Sequence, residues 1–242
     1  MQEKMKRILV DNQDFWIKLL GSELYGSLSR DICSNVITAH VDCIEETERY
    51  IQSLGHHTTE RAQESDHWLS DVLFAPFYQI IVEFYLQYSA ISVDTFSILK
   101  NKESVLRQLI YDSIERIPRR VLIYDMHLCK SDGKLIGADS AEEYQHYCQN
   151  MLADVSYVHK LCSEYFEMTR LLVARMTYTI TYLEEMLRNI ESSHMEITQQ
   201  LCAGEEFHYI TSLKITGTDC HQKGRKAAEC TLDTGKKFVY KP

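Results

Sequence analysis

Residues 215–242 read ITGTDCHQKGRKAAECTLDTGKKFVYKP, and this stretch decides which fold the chain builds near its C-terminal end. Two turn signals interrupt it, one at residues 222–224 and one at residues 233–235. The segments that flank the second turn, 227–232 and 236–240, are short and carry Thr, Phe, Val and Tyr. Short β-favouring segments around an Asp-x-Gly turn predict a β-hairpin.

Lys241 directly follows the second predicted strand. A Gly-containing turn, a strand, a turn and a strand that ends in lysine is the order in which a kinase-like N-terminal lobe begins. Backbone N–H groups of such a turn, here around Gly224, can bind phosphate oxygens, and the lysine adds a positive charge. We therefore expect Lys241 and Gly224 to bind nucleotide phosphates. The alternative for Lys241 is an exposed strand lysine without a ligand.

Asp219 and His221 precede the hairpin and are separated by one residue. In extended backbone they would project to the same face. A histidine can transfer protons near neutral pH, and a neighbouring carboxylate fixes its tautomer. The two residues are therefore candidate catalytic groups, although such pairs often only cap a turn. The pattern becomes specific because Lys241 follows Asp219 by 22 residues within a Tyr-Lys-Pro ending.

The whole pattern, G-x-D-x-H-x-x-G and then D-x-G-K-K-φ-V-Y-K-P, resembles the dehydration domain of class II lanthipeptide (lantibiotic) synthetases. Asp219, His221, Gly224 and residues 240–242 occupy the matching positions. The chain departs from the family at Thr218, which separates the usual adjacent Gly-Asp pair.

A second stretch carries the same resemblance. Residues 117–127 (IPRRVLIYDMH) and 133–148 (GKLIGADSAEEYQHYC) are similar to the family's arginine-led apolar helix, glycine turn and following helix start. Tyr165, Arg170 and the segment 184–188 also fall where the family has Tyr, Arg and Glu–Arg. The resemblance covers the chain from about residue 70 to the end, and the earlier residues match only in being helical.

The resemblance implies an enzyme that phosphorylates Ser and Thr of a precursor peptide with ATP and then eliminates phosphate to give dehydro residues. Lys241 and Gly224 would bind ATP, whereas Asp219 and His221 would be catalytic. The precursor peptide, leader plus core, would be the substrate. The family's catalytic acid, magnesium ligands and cyclase domain follow the Tyr-Lys-Pro element. We therefore expect a fragment that is inactive alone and whose partner is the remainder of the synthetase.

A second interpretation belongs to a different functional class. The chain would be a non-catalytic helical interaction or peptide-binding protein that carries a relic nucleotide-binding hairpin. A third interpretation, another kinase-like phosphotransferase, is weaker because the pairing of D-x-H with Y-K-P is not a general kinase signature.

The charge and the cysteine pattern indicate which partners, compartment and metal sites to expect. The net charge of −9 disfavours a nucleic-acid partner. The charge is uneven, because residues 207–242 hold 7 Lys and Arg against 3 Asp and Glu, a balance that suits an anionic ligand. Eight cysteines without a C-x-x-C pattern, together with no signal peptide, predict reduced thiols in a cytoplasmic protein and no metal site. No apolar run is long enough to span a bilayer.

Helical periodicity dominates the rest of the chain. We predict helices at about residues 76–88, 92–100, 103–116 and 119–129, with a glycine turn over 130–137. An apolar stripe runs from Met176 to Leu201 with steps of three and four residues, which predicts one long helix. The expected fold is thus mainly α, with a helical domain over residues 1–203. Residues 204–242 would start a kinase-like β lobe, which makes the chain α+β overall.

Overall fold

The computed structural model describes residues 44–56, 69, 72–89, 96–216 and 225–242. Residues 44–56 form helix α1. The other elements, in chain order, are α2 Ala75–Tyr88, α3 Lys102–Ile114, α4 Arg119–Ser131, α5 Ser140–His146, α6 Val155–Glu164, α7 Phe166–Ser192, α8 His194–Gln200, β1 Ile210–Ile215, β2 Ala228–Leu232 and β3 Lys237–Tyr240. Helix α5 continues into a π-helical segment, Tyr147–Leu152. The prediction of a mainly helical chain with a C-terminal β-hairpin is confirmed.

The chain divides into two compact units, Met1–Glu46 and Thr47–Pro242, and the core described here lies in the second. Helix α2 is buried on most of its surface, as its almost continuous apolar sequence requires, and Pro76 occupies its first turn. The largest side chains without solvent exposure come from every part of the unit, including Tyr50, Phe77, Phe96, Tyr147 and Phe207. The division predicted between residues 203 and 204 remains a prediction.

Helix α7 is the longest of the described helices and carries the apolar stripe that the sequence predicts. Met176, Ile180, Leu183, Leu187 and Ile190 are all buried along it. The prediction that one helix continues to residue 201 is wrong, because the helix ends at Ser192 and α8 begins after a one-residue break. The break allows the His194 ring to reach the Phe207 carbonyl oxygen, with Nε2 at 2.8 Å.

The C-terminal sheet has three antiparallel strands in the order β1-β2-β3. Gly235 adopts a φ of 77° in the β2–β3 turn, a conformation that favours glycine. This agrees with the turn predicted from Asp233-Thr234-Gly235. The Asp233 carboxylate accepts the His208 backbone N–H, and the Asp233 N–H donates to the Tyr209 carbonyl oxygen at 2.9 Å. The turn is therefore held against the segment that precedes β1.

The described part of one predicted helix is not helical and instead bonds to β1. Residues 96–100, the described part of the helix predicted over 92–100, form turns and a β-bridge between Leu99 and Ile210. The Ile210 N–H donates to the Ile98 carbonyl oxygen at 2.8 Å, and the Lys100 N–H donates to the Ile210 carbonyl oxygen at 3.0 Å. Because β1 bonds these main-chain groups, they are not available for helical bonds.

Candidate functional site

Lys241 lies directly after β3 and is exposed. It makes no hydrogen bond or ion pair within the part of the chain that the structure describes. In the antiparallel register Ala228 pairs with Tyr240, so Lys241 lies at the end of the sheet where β2 begins. β1 also ends there, since Ile215 pairs with Ala228. Lys241 is thus an exposed residue at the end of the hairpin, and its assignment to nucleotide phosphates remains a prediction.

The other predicted site residues fall outside the described residues. Asp219, His221 and Gly224 belong to the segment 217–224, whose structure is not described. Their assignment as catalytic and phosphate-binding residues remains a prediction. The described ends of this segment, Thr216 and Arg225, both lie at the same end of the sheet as Lys241.

Helix α7 holds this end of the sheet through several polar contacts. The Tyr182 hydroxyl donates to the Lys226 carbonyl oxygen, and Arg225 forms an ion pair with Glu185. Asn189 Nδ2 donates to the Tyr240 hydroxyl at 2.8 Å. The rings of Tyr182 and Tyr240 are also in contact, with centroids 6.4 Å apart. The residue before Lys241 is thereby attached to the helix, which limits the positions that Lys241 can reach.

A polar cavity of about 130 Å³ lies between α3, α7 and this end of the sheet. The residues that line it are Leu109, Asp112, Ser113, Arg175, Tyr178, Thr179, Tyr182, Ile215 and Lys226. Its α7 wall consists of positions i, i+3, i+4 and i+7, which share one face of a helix. The cavity therefore combines two cations, one carboxylate and several hydroxyl groups in a small volume.

Burial raises the pKa of one hydroxyl group and one carboxyl group that line the cavity. It raises the pKa of Tyr182 to about 12, with the Tyr240 hydroxyl adding to the effect, so Tyr182 is a neutral donor at physiological pH. Partial loss of hydration raises the pKa of Asp112, an effect opposed by the hydrogen bond from Gln108 and reinforced by Glu115. No cation of the cavity contributes to the pKa shift of Asp112.

The sequence analysis did not identify Arg175, Lys226 and Tyr182 as site residues. A signal was present, because Arg175, Tyr178, Thr179 and Tyr182 recur at helical spacing along α7. The contribution of Lys226 depends on the pairing of β1 with β2 and is not visible as a local pattern.

Among the described residues no group of three or more His, Cys, Asp or Glu side chains could hold a metal ion. In the same residues, no helix has both the length and the apolar character needed to cross a membrane. The described cysteines, Cys129, Cys148, Cys162, Cys202 and Cys230, are all buried free thiols.

Comparison with known families gives one match. A family model described as a domain of unknown function (DUF4135) matches residues 165–242. The matched region contains α7, α8 and the whole sheet, and therefore Lys241 and the sheet and α7 walls of the cavity. Comparison with curated proteins finds no match.

Proposed function

We propose that this chain is part of a class II lanthipeptide dehydratase, in which it supplies the phosphate-binding hairpin of the ATP site. The observation that carries the proposal is the exposed lysine at the end of β3, within the Tyr-Lys-Pro ending of the hairpin. The resemblance of residues 117–127 and 133–148 to the same family supports it independently. The family match over residues 165–242 covers the region that would form this site.

The proposed chemistry has two steps that balance without an oxidant or reductant. In the first step a Ser or Thr hydroxyl oxygen would bond to the γ-phosphorus of ATP while the bond from that phosphorus to the β,γ-bridging oxygen breaks. ADP would leave with that electron pair, and the hydroxyl proton would pass to the catalytic carboxylate that the resemblance assigns to the remainder of the synthetase. A base then removes the α-proton, the Cβ–O bond breaks and phosphate leaves with the electron pair of that bond. The sequence assigns this acid–base work to Asp219 and His221, because a histidine beside a carboxylate can accept and return a proton near neutral pH.

The described residues fit part of an ATP site. Bound ATP would supply the phosphoryl group, and Lys241 offers one unpaired ammonium for its phosphate oxygens. Attachment of Tyr240 and Lys226 to α7 would fix the hairpin that presents this lysine. The resemblance, rather than any residue described here, assigns the magnesium ligands of the proposed enzyme to the remainder of the synthetase.

The test is the mass of a lanthipeptide precursor incubated with ATP, Mg²⁺ and this chain joined to the remainder of a class II synthetase. We expect loss of one water per modified Ser or Thr in the unsubstituted protein. His221→Ala should instead accumulate peptide that carries intact phosphate, because His221 would act in the elimination, whereas the proton released in phosphorylation would pass to a catalytic acid in the remainder of the synthetase.

Two results would count against the proposal. If the joined protein neither phosphorylates nor dehydrates the precursor but binds it tightly, the non-catalytic peptide-binding interpretation is correct. If His221→Ala and Asp219→Ala both give normally dehydrated peptide, neither residue belongs to the catalytic machinery.

A further inference from the structure

Three of the four hydroxyl groups that line the cavity can only accept hydrogen bonds from a ligand. Ser113 Oγ donates to the Ile110 carbonyl oxygen at 2.7 Å, and Thr179 Oγ1 donates to the Arg175 carbonyl oxygen at 2.9 Å. Tyr182 donates its hydroxyl proton to the Lys226 carbonyl oxygen. A hydroxyl has a single proton to donate. These three groups can therefore act toward a ligand only as acceptors.

The two cations of the cavity, unlike these hydroxyl groups, have donor groups available for a ligand. Arg175 and Lys226 are both half-buried, and neither side chain has a hydrogen-bond or ion-pair partner among the described residues. Charged groups nearby are paired, since Arg225 contacts Glu185 and Arg107 contacts Glu83 with Nε and Oε1 2.6 Å apart. Partial burial of an unpaired cation costs free energy, which a bound anion would offset.

The size and charge of the cavity indicate which anion it would take. Two cations, Arg175 on α7 and Lys226 just before β2, exceed the single carboxylate of Asp112, so the cavity favours an anion with several acceptor oxygens. A volume of about 130 Å³ is enough for one tetrahedral group. The acceptor hydroxyls can receive the single P–O–H proton of hydrogen phosphate, or a peptide N–H beside a phosphate monoester.

We propose that this cavity is a binding site for a phosphoryl group, as inorganic phosphate or as a phosphate monoester, with Arg175 and Lys226 as its ligands. The site is separate from the role proposed for Lys241, which does not line the cavity. Binding of inorganic phosphate stands on the cavity alone. The identity of the monoester as a phosphorylated Ser or Thr of a peptide rests on the proposed function, which generates such an intermediate and releases phosphate.

The experiment is isothermal titration calorimetry of the full chain with inorganic phosphate, with a phosphoserine peptide and with the same peptide unphosphorylated. We expect saturable binding of the first two, and competition between them. Arg175→Gln and Lys226→Gln should each weaken binding about tenfold or more, because each removes a charge-assisted hydrogen bond. Arg188→Gln, on an exposed part of α7, and Lys236→Gln, in the exposed hairpin turn, are matched controls and should leave binding unchanged.

Thermal unfolding without phosphate separates lost binding from lost folding. Because both cations lack a partner, Arg175→Gln and Lys226→Gln should unfold at or slightly above the temperature of the unsubstituted chain. Equal phosphate binding by the doubly substituted chain, or a heat signal that sodium chloride reproduces at the same ionic strength, overturns the proposal. Binding of inorganic phosphate without binding of the phosphopeptide supports the cavity as a phosphate site and contradicts its assignment to a phosphorylated peptide.

Discussion

Tyr182→Phe tests whether α7 fixes the end of the sheet that carries Lys241. The substitution keeps the ring, which is 6% exposed, and removes the hydroxyl that donates to the Lys226 carbonyl oxygen. The loss comprises one hydrogen bond and a partly buried carbonyl left without its partner, so we expect about 1–2 kcal/mol less stability. For a unit of this size that corresponds to a decrease of roughly 2–8 °C in Tm.

The assay combines denaturant unfolding with hydrogen exchange resolved by segment. Exchange should become faster around residues 225–232, next to the lost hydrogen bond, and stay unchanged in α2. Tyr124→Phe is the matched control, because the Tyr124 side chain lies at 57% exposure on α4. Unchanged stability together with unchanged exchange at 225–232 would refute the attachment of the sheet through Tyr182.

Three further predictions concern the interior of the unit. Asp125 is buried and accepts hydrogen bonds from Tyr147 and Tyr157, each at 2.7 Å. Asp125→Ala should therefore lower the free energy of unfolding in urea by about 2–4 kcal/mol, whereas Asp132→Ala, at an exposed position, should leave it nearly unchanged. Equal effects of the two substitutions would contradict this hydrogen-bond network. Gly137→Ala should destabilise the start of α5 by about 1–3 kcal/mol, since a Cβ there would lie 2.5 Å from the Glu143 backbone nitrogen, and a wild-type Tm would disprove the close approach. Burial raises the pKa of Cys162 and Cys230 to about 12, so iodoacetamide at pH 8 should leave both thiols unmodified until the chain unfolds, and alkylation of the native chain at Cys230 would contradict this. As the pH rises from about 9 toward 12, each thiol should lower the free energy of unfolding by about 1.4 kcal/mol per pH unit, because the unfolded chain loses the thiol proton while the folded chain keeps it.

Local sequence patterns predicted the elements whose conformation is determined by residues close to one another in the sequence. The hairpin followed from Asp233-Thr234-Gly235, because that turn needs a residue with positive φ between two β-favouring segments. The buried face of α7 followed from its apolar period. In both cases the determining residues lie within a few positions of one another.

The errors arose where distant segments decide the conformation. Residues 96–100 have an apolar pattern compatible with a helix, but their main-chain groups bond Ile210, more than a hundred positions later. The break at Ser193 accompanies a contact between His194 and Phe207, which no periodicity reveals. The cavity likewise requires α3, α7 and the sheet together, so only its α7 stripe could be found from the sequence.

The central claim concerns Lys241, and the initial rate of precursor phosphorylation tests it most directly. The rate is measured with this chain joined to the remainder of a class II synthetase, for Lys241→Met and for Lys236→Met. Both substitutions remove one exposed lysine charge from the same hairpin. Loss of a charge on ATP phosphates should cost about 2–4 kcal/mol of transition-state stabilisation, so Lys241→Met should be roughly 30- to 1000-fold slower, with peptide affinity unchanged. Lys236→Met should retain the full rate. Equal rates for the two variants would contradict the assignment of Lys241 to the nucleotide.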